Sequence, residues 1–213
     1  MDDSSQTSVI PPIGLPALLT LPPHATGIVL FAHGSGSSRL SPRNQHVALE
    51  LHKAGLGTLL FDLLIETEAA DRANVFDITL LADRLALATT WLVGLPEAAR
   101  LPIGYFGAST GAAAALVAAA RPENPVAAIV SRGGRPDLAG RALAHVRAPT
   151  LLIVGGADVD VLTLNRQAYA QLICHKRLKI IPRATHLFDE PGALDEVVEL
   201  AREWFLAHLR RPA

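Results

Sequence analysis

The chain has 213 residues, of which 50% are hydrophobic and 18% charged, and its formal net charge is -1. This balance suits one α/β domain over 1–213 with a sheet buried on both faces, and it argues against intrinsic disorder. It gives no electrostatic ground for nucleic acid or a membrane surface as partner, and the single cysteine, Cys174, excludes an internal disulfide and a multi-cysteine zinc site.

Apolar runs with strand character occur in order at Leu15 to Leu21, Gly27 to Ala32, Gly57 to Asp62, Ile103 to Gly107, Val126 to Ser131, Thr150 to Val154 and Leu178 to Ile181. Helical spacing of apolar residues, three or four apart, covers Asn44 to Ala54, Asp77 to Leu92, Thr110 to Arg121, Leu162 to Ile173 and Leu194 to Leu209. Strands alternating with helices predict right-handed crossovers and a three-layer α/β/α sandwich around a mostly parallel sheet. The acidic, polar stretch from Glu66 to Asn74 reads as a surface loop, and no insertion after the sixth strand run is long enough for a lid domain. Asp2 and Asp3 stand where a leader would carry basic residues, and no apolar run reaches the length of a signal core or a spanning helix. The expectation is a cytoplasmic protein, monomeric or homodimeric, with no cofactor or metal.

The segment Ile103 to Gly111, I-G-Y-F-G-A-S-T-G, delivers Ser109 from a strand into a glycine-flanked turn and directly into an alanine-rich helix. Such an elbow exposes a nucleophile, and glycine is tolerated at its flanks where a side chain would strike neighbouring backbone. A serine hydroxyl needs a base, and the base needs an orienting acid. Thr150 to Val154 runs into Gly155-Gly156-Ala157-Asp158, and Leu178 to Ile181 runs into Pro182-Arg183-Ala184-Thr185-His186. Asp158 and His186 therefore lie on loops at the carboxyl ends of successive strands, with a helix-capping role for Asp158 and its replacement by Asp160 as competing readings. The backbone N–H groups of Thr110, after the nucleophile, and of Ser35, in the loop His33-Gly34-Ser35-Gly36-Ser37-Ser38, are the candidate oxyanion donors. That loop could instead cradle phosphate, but neither Gly-x-Gly-x-x-Gly nor a Walker lysine pattern is present. His33 reads as a residue that hydrogen-bonds the loop backbone.

The segments F-A-H-G-S-G-S-S-R, F-G-A-S-T-G, G-G-A-D and A-T-H-L-F-D, in this order over nearly the full length, resemble the α/β-hydrolase superfamily. They are most similar to the small lidless proteins grouped with dienelactone hydrolase. The resemblance implies a serine or cysteine hydrolase acting on a small ester or lactone, with its triad on Ser109, Asp158 and His186 and its oxyanion donors on Ser35 and Thr110. Dienelactone hydrolase itself carries cysteine at the elbow. Here Ser109 stands there and Cys174 falls in a predicted helix as a small apolar residue, so a generic serine carboxylesterase is the expectation.

Arg39, at the end of the oxyanion loop, and Arg132 and Arg135, after Val126 to Ser131, border the same crevice. Arg39 and Arg132 are candidates for gripping a substrate carboxylate, against structural pairing with Asp62 or Asp137. Trp91 and Trp204 fall on helical stripes as packing residues. A catalytically silent hydrolase-fold binder and an acyltransferase or thioesterase remain alternatives, because fold alone does not guarantee chemistry.

Overall fold

The computed structural model describes residues 5–209; Asp2 and Asp3 lie outside them. Eight strands run in chain order as β1 (Ser5–Ile10), β2 (Leu15–Thr20), β3 (Ile28–Ala32), β4 (Gly57–Phe61), β5 (Ile103–Ala108), β6 (Val126–Arg132), β7 (Thr150–Gly155) and β8 (Lys176–Ile181). They form one sheet in the order β1-β2-β4-β3-β5-β6-β7-β8. All pairings from β4 to β8 are parallel, while β1 with β2 and β2 with β4 are antiparallel.

The strands are apolar without interruption because both faces are covered. Along β3, Ile28, Leu30 and Ala32 face one core while Val29 and Phe31 face the other. The first core is closed by α4 (Ile78–Val93), α5 (Thr110–Ala119) and α6 (Val159–Gln171), the second by α1 (Pro42–Lys53) and α7 (Ala193–His208). On α4 the buried residues Leu81, Leu85, Ala88 and Leu92 follow helical spacing, and the Asp77 carboxylate caps its first turn by accepting the Leu80 N–H at 3.0 Å. On α5 almost every residue is buried, which explains its alanines: a helix enclosed on all sides needs small side chains. Trp204 is buried and Trp91 packs against the first core, as their helical positions predict.

Three features differ from the sequence reading. β1 is a strand that periodicity does not reveal, since its residues up to Val9 are largely exposed and it is held by antiparallel pairing to β2. Glu66 to Asn74 is no loop but two short helices, α2 (Glu66–Ala69) and α3 (Arg72–Phe76), with no buried residue to betray them. α6 begins at Val159 and ends at Gln171, so Cys174 lies beyond it in the link to β8, half-buried, with Sγ 3.6 Å from Thr150 Oγ1. Between β6 and β7 the chain forms a 3₁₀ segment, Pro136–His145, interrupted at Gly140. Among the described residues no helix is long and apolar enough to cross a membrane.

Tyr105, on β5, ties the sheet to α4. Its buried hydroxyl lies 2.6 Å from Thr89 Oγ1, whose own proton goes to Leu85 O, and accepts from Asn124 Nδ2 at 2.8 Å. Burial pushes the phenol up to about 12. Tyr105→Phe should therefore cost about 1–2 kcal/mol, read as a lowered urea midpoint with an unchanged slope.

Candidate active site

β5 ends in the elbow. Ser109 has φ 50° and ψ -121°, a backbone region that side chains rarely adopt. The flanking glycines allow it by close approach. A Cβ on Gly107 would lie 2.5 Å from Ala112 Cα, and one on Gly111 only 2.0 Å from Ala32 O. The Ser109 carbonyl accepts from Ala112 N–H at 3.1 Å and Arg135 N–H at 3.0 Å, locking the turn to its helix and to the loop after β6.

His186 follows β8 and lies with its Nδ1 2.7 Å from Asp158 Oδ2. The Asp158 side chain is 15% exposed and that of His186 39%, so the carboxylate is shielded while the ring remains reachable. Asp158 occupies the N-cap position of α6 without making a capping side-chain bond, and Asp160 is exposed on the first turn. Of the two acids, then, the loop turns Asp158 toward the imidazole. Ser109, His186, Leu187 and Arg132 line one cavity of about 630 Å³, together with the Gly34–Ser38 loop and the start of α1. At the carboxyl edge of the sheet, His186 is thus paired with Asp158 and shares a cavity with Ser109.

The oxyanion candidates behave differently from each other. Thr110 is the first helical residue, so its N–H has no intrahelical acceptor. Ser35 N–H, expected to be free, donates to Thr110 Oγ1 at 3.0 Å. That bond fastens the glycine loop to the elbow, and the amide must be shared or released to face an oxyanion. Beyond this loop lies a second cavity of about 490 Å³, with Leu63, Leu64, Val75 and Leu81 in its wall. Glu66 and Ala69 of α2 reach it too, so the segment read as a surface loop forms a side of the site.

The arginines divide. Arg39 gives its backbone N–H to Asp62 Oδ1 at 2.7 Å and its Nη1 to Asp62 Oδ2, so of its two readings the structural pairing with Asp62 is the one present in the fold. Arg135 pairs with Asp137. Arg132 is only 8% exposed and its Nε has no partner among the described residues. Residues with no sequence signal complete the scaffold. Glu190 accepts Thr185 N–H at 3.0 Å next to His186. Buried Asn165 donates to Gly134 O at 2.9 Å. Arg43 bridges to Asp189 in the histidine loop with contacts of 2.7 and 3.0 Å. Among the described residues no group of three or more His, Cys, Asp or Glu could hold a metal ion.

A crystal structure of dienelactone hydrolase from Anabaena variabilis has TM-score 0.92 and 56% identity, covering 97% of this chain and 100% of that one. Est1E from Butyrivibrio proteoclasticus shares the fold, with TM-score 0.79 at 17% identity over 96% of this chain and 98% of its own. A Mycobacterium tuberculosis protein provisionally named a phosphoribosyl transferase is 57% identical over 210 residues, 99% of this chain and 47% of that protein. The chain thus spans about half the length of that curated relative. No family model matches the chain.

His33 anchors the loop from below. Its Nδ1 lies 3.0 Å from Gly34 O and its Nε2 accepts Leu63 N–H at 3.1 Å, an arrangement that requires the neutral ring. Burial holds its pKa below 6.5 in the fold, against the weaker pull of Gly34 O and Asp62. The unfolded chain therefore binds a proton first, and stability should decline as pH falls below about 6.5. His208, also lowered by burial and by His175 and Arg177, acts in the same direction. Urea midpoints between pH 7 and pH 5.5 should drop for the native sequence and drop less for His33→Gln.

Proposed function

Because the chain belongs to the dienelactone hydrolase family of α/β-hydrolases, we propose that it is a serine hydrolase that opens a small carboxylic ester or lactone through an acyl-enzyme on Ser109. The observation that carries this reading is the 2.7 Å contact of Asp158 with His186, which lines one cavity with Ser109. In the proposed cycle Ser109 Oγ attacks the acyl carbon as its proton passes to His186 Nε2. Asp158, accepting from Nδ1–H, keeps the ring in the productive tautomer and stabilises the imidazolium. The negative charge on the tetrahedral intermediate falls to the N–H of Thr110, joined by that of Ser35 as it leaves the Thr110 hydroxyl. Collapse breaks the bond to the leaving oxygen, which takes the proton from His186. Water then attacks the acyl-enzyme with His186 again as base, releasing the carboxylic acid and restoring the Ser109 hydroxyl. For a lactone both products are ends of one hydroxy acid.

The phosphoribosyl transferase name belongs to a relative of which the matched region is about half. In this chain the glycine loop lacks the phosphate-cradling patterns named above, whereas the strained Ser109 elbow and the His186–Asp158 pair support hydrolysis over transfer to ribose. The two cavities on either side of the Gly34–Arg39 loop suit an apolar acyl group on the Leu63 and Val75 side and a polar leaving group beside His186.

A fluorophosphonate should label Ser109, seen as an intact-mass shift mapped to its peptide, and the protein should cleave short p-nitrophenyl esters. Ser109→Ala should abolish labelling and lower turnover by a factor on the order of 10⁶ where the relay acts as a unit, with Asp158→Asn milder. Undiminished turnover in Ser109→Ala would overturn the reading.

A further inference from the structure

We propose that Arg132 heads a subsite for a phosphate group carried by the alcohol portion of the substrate, so that the enzyme hydrolyses acyl esters of phosphorylated alcohols. This inference rests on the serine-hydrolase reading and adds to it the chemical class that the site selects. The phosphate itself is not cleaved: water and the ester give a carboxylic acid and the free phosphorylated alcohol.

The argument begins with a charge that the fold leaves unmatched. Arg39, Arg43 and Arg135 each face a carboxylate, from Asp62, Asp189 and Asp137. Among the described residues Arg132 faces none within ion-pair distance, although it is 8% exposed and its Nε is sealed from water without a partner there. Asp189, whose charge favours the cation, is held on two oxygens by Arg43, and Arg43 itself repels the guanidinium. Burial is the main cause that pulls its pKa down to about 10. A guanidinium in this state weakens the fold, and burial of a charge is tolerable only with a partner, so a ligand anion is the missing half.

The surroundings indicate which anion. Arg132 Cζ lies 5.8 Å over the Phe188 ring, and the N–H groups of a guanidinium radiate in its own plane, where they can grip an anion. The same cavity is lined by Ser37, Ser38 and Ser41 and by Arg43 on the first turn of α1. Ser38 Oγ accepts Leu40 N–H at 3.2 Å and Ser41 Oγ accepts Asn44 N–H at 3.4 Å. With their oxygens used as acceptors, these hydroxyls retain a proton to donate. A planar carboxylate would be satisfied by one guanidinium edge, whereas the three oxygens of a phosphate draw donors from several directions. The hydroxyls of Ser37, Ser38 and Ser41, lining the same cavity as the Arg132 guanidinium, match the second requirement. Ser109 and His186 line the same cavity, which places the anion on the leaving-group side of the scissile bond.

Titration calorimetry of the Ser109→Ala protein with phenyl phosphate, benzoate and phenol tests this without turnover. Phenyl phosphate should bind at least tenfold more tightly than benzoate or phenol. Adding Arg132→Met should weaken it tenfold or more, and Arg132→Lys should recover part of the loss. Removal of an unmatched buried charge should also raise the melting temperature of Arg132→Met, whereas a structural arginine would lower it. Absence of phenyl phosphate binding, equal affinity in Arg132→Met, or benzoate binding as tight as phenyl phosphate would each overturn the proposal. Failure of fluorophosphonate labelling in the native protein would instead overturn the hydrolase reading, leaving these affinities to stand by themselves.

Discussion

The site depends on one strained residue. Holding Ser109 at φ 50° and ψ -121° costs about 1–3 kcal/mol by itself, and the surrounding structure must over-determine it. Two close approaches do so, Gly107 against Ala112 and Gly111 against the end of β3, together with the two amides that converge on the Ser109 carbonyl. The second of these amides belongs to Arg135. The bond that fixes the elbow therefore also fixes the loop after β6, and Asn165 holds that loop from its other side through Gly134. Strain at one backbone position is distributed over three elements.

Parallel strands bring the rest of the chemistry to the same edge. Ala32 pairs with Gly107, Ala108 with Arg132 and Gly155 with Ile181, so the strands end nearly level and the loops that follow them meet. A ligand crevice at the carboxyl ends of such strands is the general outcome of this topology. The glycine loop after β3 divides the crevice. On one side its neighbours are leucines and the two short helices, on the other they are Ser109, His186 and Arg132. The division is held in place by the Ser35 N–H on the Thr110 hydroxyl and by neutral His33 beneath.

Charges around the crevice are arranged unevenly. Most arginines there are matched by a nearby acid, Arg39 by a residue at the end of β4 and Arg43 by one in the histidine loop, and these pairs link elements far apart in sequence. Paired charges of this kind contribute little energy but restrict where loops can go. Arg132, buried and lining the cavity, has no such acid among the described residues. A fold that keeps such a group carries a cost in stability that its ligand would offset.

Apolar periodicity by itself determined the order of the strands and the longer helices from Leu15 onward, the mostly parallel sheet and the positions of Ser109, Asp158 and His186 at strand ends, because each of these follows from local spacing and from where a strand stops. β1 escaped detection because its alternation is mostly exposed and its stability comes from pairing with β2. The helices at Glu66 and Arg72 escaped because they bury no residue and so leave no apolar stripe. Which acid meets His186, which arginines are neutralised and which amide is already occupied were decided only in the tertiary structure. Asp158 and His186 are 28 residues apart, Arg39 and Asp62 are 23, and Ser35 and Thr110 are 75. Hydrogen bonds across such separations depend on where the sheet delivers each loop, a three-dimensional outcome that no local pattern of side chains encodes.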